Sequence, residues 1–294
     1  MDTIDAEQAD TEAIKLMLEK LIVDSVRKAA CARNVRGRLG ILFSGGVDSS
    51  LLALVCKRLN IDFTCYTANM VEPGLRMPED MVYAEKVAER MGFTLDKTTV
   101  GLADVRKHLA DVMGVIGSAN VVKVGVALPF YLAMDSAKKD GVSTILSGLG
   151  SEEIFAGYER HRKADDINDE CRKGLASIYE RDISRDLAIA RHFGLDLRSP
   201  FLEKNLVDYA LKIPGKYKIM GEHCKLILRQ AAEAMGLPKE FAYRRKMAAQ
   251  YGSNFDKAID KLSKGMKKSE YLRSIMPLGT LFSSGKDSAY ALYR

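Results

Sequence analysis

The sequence predicts an α/β protein in which a doubly wound parallel sheet is followed by a helical C-terminal half. Three observations carry this. Short apolar runs bounded by turn residues alternate with helical patterns through the first half. Two of those runs end in glycine-rich loops that open helices, and from Asp165 onward the strand signal fades. With 294 residues and 47% hydrophobic content, the chain can bury the core such a fold needs.

In chain order, residues 1–12 are polar and are expected to be disordered. Between Thr11 and Cys31, Ile14, Met17, Leu18, Leu21, Ile22, Ser25 and Val26 recur at helical spacing, which predicts an amphipathic helix. Ile41 to Phe43 read as a buried strand and Leu51, Leu52, Leu54 and Val55 as the helix after it. Ile61 to Thr67 is the second strand candidate. A helix starts at Glu79-Asp80 behind Pro78 and is ended by Gly92. Thr94 to Val100 is a third strand, Ala103 to Met113 and Val124 to Lys138 are helices, and Gly114 to Val122 is a loop between them. Val142 to Leu146 is the fourth strand. Helices are then expected around Ile178 to Phe193, Asn205 to Lys212, Lys225 to Met235 and Asn254 to Leu262, separated at Pro200, Pro214 and Pro238. The predicted domain therefore spans 13–262, with a tail over 263–294.

Composition narrows the function classes. No apolar run approaches the roughly 20 residues that span a bilayer, and the acidic start MDTIDAEQAD is unlike a signal peptide, so a cytoplasmic protein with no membrane partner is expected. Cys31, Cys56, Cys65, Cys171 and Cys224 form no CxxC or CxxH pair, which argues against a disulfide framework or a zinc or iron–sulfur site and predicts buried thiols. The net charge is +6, with basic clusters at Arg244-Arg245-Lys246 and at Lys257 to Lys268, so RNA binding stays open beside a solvated helix face.

The chemistry concentrates in Gly40 to Leu54, GILFSGGVDSSLLAL. Gly45 and Gly46 allow backbone conformations that let consecutive N–H groups converge on an anion, and the following helix start adds its positive dipole end. This is a phosphate cradle. No lysine follows Gly46, so it is not a GxxxxGK[ST] loop. Val142 to Leu146 leads into Ser147-Gly148-Leu149-Gly150-Ser151, with Glu152 and Glu153 in the next helical turn. Ligands in such sheets sit outside the carboxyl ends of strands where strand order reverses, so the two loops are expected to face one nucleotide.

SGGVDSS resembles the pyrophosphate loop of the PP-loop ATP pyrophosphatases, also described as adenine nucleotide alpha hydrolase-like proteins. LSGLGSEEIFAGYERHR, Leu146 to Arg162, resembles the second signature of the asparagine synthetase family's synthetase domain. The segments DLAIARHFGLDLRSPFLEKNLVDYAL and YRRKMAAQYGS resemble later blocks of that family in matching order, closest to its asparagine synthetase domain-containing branch. The resemblance implies a ligase that uses ATP and Mg²⁺, forms AMP and pyrophosphate, and makes a C–N bond as in asparagine biosynthesis. It implies that Ser44, Gly45, Gly46, Asp48, Ser49 and Ser50 hold pyrophosphate and that Ser147 and Gly148 border the ribose or α-phosphate. Asp48 and Glu152 would ligate Mg²⁺, and Lys246 would neutralise charge developing on the phosphates.

Two departures bear on the substrate. The family's glutamate between the glycines of SGEG is Leu149 here, and leucine neither accepts a proton nor binds an amine, which argues against a standard aspartate-plus-ammonia reaction. Glutamine-hydrolysing relatives carry a cysteine after the initiator methionine, whereas this sequence reads Met1-Asp2. The expectation is a synthetase without its own glutaminase domain. Nitrogen would then arrive as ammonia, from a glutaminase or ammonia-supplying partner, or as an amine on a small-molecule co-substrate. Thr280 to Leu292, TLFSSGKDSAYAL, repeats the first loop and resembles the start of a diphthine–ammonia ligase-type protein. Three readings follow: a ligase acting on a carboxylate or carbonyl of a small molecule such as an amino acid, a tRNA-modifying enzyme of the same superfamily, and a non-catalytic nucleotide-binding partner module.

Overall fold

Strand β1 (Arg38–Leu42) lies at the centre of a sheet that grows from it in two directions. The computed structural model describes residues 2–31, 37–245 and 247–276, so Lys246 and the C-terminal SSGKDS repeat lie outside the described residues. Next to β1 on one side is β2 (Phe63–Met70), followed by β3 (Leu95–Val100). On the other side are β4 (Val142–Leu146) and then β5 (Asp196–Arg198). All four pairings are parallel, in the order β3-β2-β1-β4-β5. The chain therefore moves outward from β1 through β2 and β3, returns, and moves outward the other way. That reversal between β1 and β4 opens a crevice at their carboxyl ends.

Both faces of the sheet are covered, as a parallel sheet requires. On one face pack α1 (Asp2–Ala30), α2 (Val47–Arg58), α3 (Glu79–Met91) and the helix Leu226–Ala234, around Leu18, Ile22, Ile41, Leu51, Cys65 and Ile227. The other face carries α4 (Leu102–Ile116), α5 (Val121–Lys139) and the helices Ser184–Phe193 and Phe255–Ser263, around Tyr66, Met70, Leu109, Leu128, Ile145 and Phe255. The strand alternation is visible in β2, where Cys65 joins the first core while Tyr66, Ala68 and Met70 join the second.

Most expected elements are present within a few residues, and the differences have physical reasons. Helix α1 begins at Asp2, ahead of the expected Thr11. The expected 114–122 loop shrinks to residues 117–120. Helix α4 runs on to Gly117, left-handed at φ 61°, and the Asn120 side chain accepts from the N–H groups of Val122 and Lys123 to start α5. Strand β5 was not expected: three residues with one apolar side chain carry no periodic signal, and it forms because the edge of β4 offers its hydrogen bonds. The fold also continues beyond 262, since the helix Lys268–Ile275 buries Leu272 and pairs Lys268 with Asp256 at 2.8 Å. Of the cysteines expected to be buried, Cys56, Cys65 and Cys171 are, whereas Cys31 is exposed and Cys224 half-buried.

Among the described residues no single helix is long and apolar enough to cross a membrane. The apolar pair α4 and α5 is bent by 107°, and its Val105, Leu109, Val124 and Leu128 serve the second core. Because Phe255 from the C-terminal half is fully buried in that core, Phe255→Ala is expected to cost about 3–5 kcal/mol. Urea unfolding should show one cooperative transition, shifted as a whole to lower denaturant.

Candidate active site

The loop after β1 is shaped by close approaches that only glycine permits. Gly45 is left-handed at φ 65°, and a Cβ there would lie 2.6–2.8 Å from the backbone of Tyr83 and Ala84 in α3. Gly46 caps α2 without a side chain, so the first N–H groups of the helix lie at the crevice beside it. Within the loop, the Ser44 N–H donates to Ser49 Oγ at 3.3 Å, and Ser49 Oγ donates to the Gly46 carbonyl at 3.3 Å. Ser50 is buried and its hydroxyl has no hydrogen-bond partner among the described residues. Ser44, Gly45, Gly46, Ser49 and Ser50 thus lie together on the loop after β1 and the first turn of α2.

The second loop touches the first. A Cβ on Gly148 would sit 2.9 Å from Asp48 Cβ and 3.6 Å from Ser49 N, so the loops after β1 and β4 meet across the switch point. Ser147 is buried, its N–H donates to the Arg198 carbonyl at 2.9 Å, and its hydroxyl accepts from the Leu149 N–H at 3.3 Å. Gly150 is left-handed at φ 97° and starts the short helix α6 (Ser151–Ile154), which carries Glu152. Half-buried Leu149 lies between these two glycines.

The two expected metal ligands converge on one ammonium. Lys225 Nζ donates to both oxygens of Asp48, at 2.9 and 2.8 Å, and to Ser151 Oγ at 3.1 Å, and lies 2.7 Å from Glu152 Oε1. Burial pushes the Lys225 pKa down, but the charges and hydrogen bonds of Asp48 and Glu152 outweigh it, so the net shift is upward and the ammonium stays charged. Gly157 backs this arrangement: a Cβ there would lie 1.6 Å from Glu152 Oε2 and 2.4 Å from Lys225 Cε. The extra methylene of glutamate is thus accommodated by a position with no side chain. The pair of hard carboxylates beside the glycine loop is a donor set of the kind that Mg²⁺ takes, since that ion binds one or two carboxylates and completes its shell with phosphates and water.

Lys225 was not singled out from sequence. A lysine ahead of the apolar run Leu226-Ile227-Leu228 looks like a solvated helix start, and only the fold shows it buried with a left-handed backbone at φ 57°. Arg244 departs from expectation in the opposite way. Grouped in sequence with Arg245 and Lys246 as a phosphate-contacting cluster, it is buried, donates to the Ser44 carbonyl and to Asp80 Oδ1 at 2.7 Å each, and stacks 4.1 Å over the Tyr83 ring. It ties the C-terminal half to the first loop instead of facing solvent. The exposed Lys261 and Lys264 line a separate cleft of about 830 Å³ with Arg106 and Lys107 at the start of α4.

Behind Glu152 lies a polar ladder that is buried at both ends and half-buried in its middle. Glu153 accepts from Tyr158 Oη at 2.9 Å and pairs with Arg181; Arg181 pairs with Asp182 at 2.6 Å, Arg185 with Asp182 at 3.1 Å and Arg185 with Asp186 at 2.7 Å. Its middle falls on a single π-helical turn, Tyr179–Ile183, a wider turn often found at functional sites. Burial raises Glu153, against the lowering effect of Tyr158 and Arg181, and pushes Asp186 up to about 6. His161 is fully buried, its Nδ1 accepting from the Tyr158 N–H at 3.0 Å. Burial, reinforced by Arg160 and Lys218, pushes its pKa down to about 4.

The family model described as Asparagine synthase matches residues 17–174 and 161–271. A protein assigned as a glutamine-hydrolysing asparagine synthetase in Methanocaldococcus jannaschii is 32% identical over 285 residues, covering 83% of this chain and 51% of that one. The glutamine-hydrolysing asparagine synthetase of Gallus gallus is 31% identical over 250 residues, covering 81% and 43%. The chain thus spans about half the length of the curated relatives it matches. Among solved structures, the NMN synthetase of Francisella tularensis superposes with a TM-score of 0.45 at 12% identity, covering 92% of this chain and 98% of that one.

Two outcomes follow from the geometry. Arg244→Ala removes the bonds to Asp80 and to the Ser44 carbonyl and is expected to cost about 1–3 kcal/mol, measured by urea unfolding at pH 7. His161 stays neutral when folded but takes a proton when unfolded, so its contribution is present above pH 6.5 and is lost as pH falls toward 4. Asp186 acts with the opposite sign, destabilising the fold as pH rises toward 6. Comparing His161→Gln with wild type isolates the histidine: between pH 7 and pH 5 the wild type should lose about 1 kcal/mol more, solvent screening allowed for.

Proposed function

Because this chain belongs to the asparagine synthase family, we propose that it is an ATP-dependent, AMP- and pyrophosphate-forming ligase that adenylates a carboxylate or carbonyl oxygen and passes the activated carbon to a nitrogen nucleophile. The observation that carries this reading is the meeting of two glycine loops at the β1/β4 switch point, with Asp48 and Glu152 converging beside the cradle.

The backbone N–H groups of residues 44–50 and the α2 N-terminus would receive the β and γ phosphates. Asp48 and Glu152 would hold Mg²⁺, which when bound neutralises charge on the phosphates. The acceptor oxygen attacks the α-phosphorus as the bond to the β-phosphate bridging oxygen breaks and pyrophosphate leaves. The nitrogen lone pair then attacks the activated carbon, AMP departs with the oxygen, and the nitrogen gives up a proton. Lys225, with Lys246, would offset the charge that grows on departing pyrophosphate. The protein's contribution is orientation and charge stabilisation. Leu149 in the second loop leaves that point without an acid or base, which supports an acceptor other than aspartate.

Pyrophosphate release from Mg·ATP tests the proposal, run with amino acids, other carboxylates and bulk tRNA, and with ammonium or glutamine as nitrogen source. Release is expected to require one small-molecule acceptor class and to fall about 100-fold or more in Asp48→Ala. An acceptor labelled with ¹⁸O in its reacting group should deliver the label to AMP. Release that requires tRNA would favour the RNA-modifying reading, and ATP binding without release under any condition would favour the non-catalytic module.

A further inference from the structure

The Asp48 and Glu152 carboxylates already share a cation that belongs to the protein. Three carboxylate oxygens lie 2.7–2.9 Å from Lys225 Nζ, with Ser151 Oγ at 3.1 Å completing a four-oxygen shell. The ammonium is held there by more than attraction. Lys225 is only 3% exposed, its Cε is hemmed by Gly157, and its backbone is left-handed at φ 57°, a conformation that L side chains adopt at a cost. A lysine kept in that conformation at a helix start, where glycine would be less strained, serves its side chain.

This has a consequence for how a divalent ion enters. A buried carboxylate pair attracts a metal strongly only while its charge is uncompensated. Here an ion arriving alone would have to draw the carboxylates away from Nζ and leave a buried ammonium with the neutral Ser151 hydroxyl in place of its two anionic partners, a larger cost than leaving it paired. A nucleotide's phosphates remove that obstacle, because their oxygens can accept the ammonium as the carboxylates turn to the metal.

We propose that Lys225 is the resident cation of this site, holding Asp48 and Glu152 together until a metal–polyphosphate complex binds, so that a divalent ion is admitted with nucleotide and not before it. The inference rests on the reading of Asp48 and Glu152 as ligands of a nucleotide-bound metal. Lys225 is a positioning residue for the carboxylates and becomes a phosphate contact on exchange.

Mn²⁺ provides a probe that does not depend on turnover. Free Mn²⁺ is followed by electron paramagnetic resonance with wild type, Lys225→Met and the double variant Lys225→Met/Asp48→Asn, each with and without ATP carrying a methylene in place of the α–β bridging oxygen. Wild type should bind Mn²⁺ only with the nucleotide. Lys225→Met should bind Mn²⁺ alone roughly tenfold or more tightly than wild type, and the double variant should lose that gain. Wild type alone supplies a second readout: the ¹⁵Nζ ammonium resonance of Lys225 should be unmoved by Mg²⁺, and shift when Mg²⁺ and the nucleotide analogue are added together. Mn²⁺ binding to wild type without nucleotide, or a resonance that moves with Mg²⁺ alone, overturns the inference while leaving the ATP site standing. Failure of wild type to bind Mn²⁺ even with nucleotide overturns both.

Discussion

The buried contact of one ammonium with two carboxylates is the interaction on which the site's construction depends. Asp48 comes from the first turn of α2, Glu152 from α6, and Lys225 from the start of the helix Leu226–Ala234, so three segments distant in sequence are joined at one nitrogen. Lys225 and Asp48 are buried and either charge would be costly there alone, while Glu152 is half-buried beside them. Together they fix the relative placement of the two loops more tightly than apolar packing could, because a hydrogen-bonded ion cluster tolerates little displacement.

The sheet makes that meeting unavoidable. With β1 and β4 adjacent and parallel, their carboxyl ends open on the same edge, and both following loops must turn there. Glycine lets the turns come close enough: Gly45 against α3, Gly148 against Asp48, Gly157 against the Glu152 carboxylate. Arg244 adds a second tie, from the C-terminal half to the Ser44 carbonyl. The first loop is thereby gripped from α3, from the second loop and from the C-terminal segment, which fixes its backbone in place.

Beyond Glu152 the chain spends buried charge on the ladder from Glu153 through Arg181 and Asp182 to Arg185 and Asp186. Such a network is a poor stabiliser compared with well-packed apolar residues, but each member fixes the orientation of the next. Its start at Glu153, the residue after the carboxylate that pairs with Lys225, links the electrostatics of the crevice to the helices behind it.

What the sequence by itself determined is local and periodic. The alternation of apolar runs with helical patterns marked β1 through β4, and Ser44-Gly45-Gly46 marked the tight loop between β1 and α2, because backbone permissiveness and hydrophobic period are written in consecutive residues. Glu152 was legible as an acid in the first turn after a glycine loop. Only the tertiary structure decided that β5 exists, since its hydrogen bonds belong to the edge of β4. Only it decided that Arg244 clamps a loop instead of meeting solvent, and that Lys225, 177 positions from Asp48, is its partner. The physical reason is the same in each case. A charged side chain's role depends on which opposite charges share its low-dielectric surroundings, and those surroundings are assembled from segments whose nearness no stretch of sequence records.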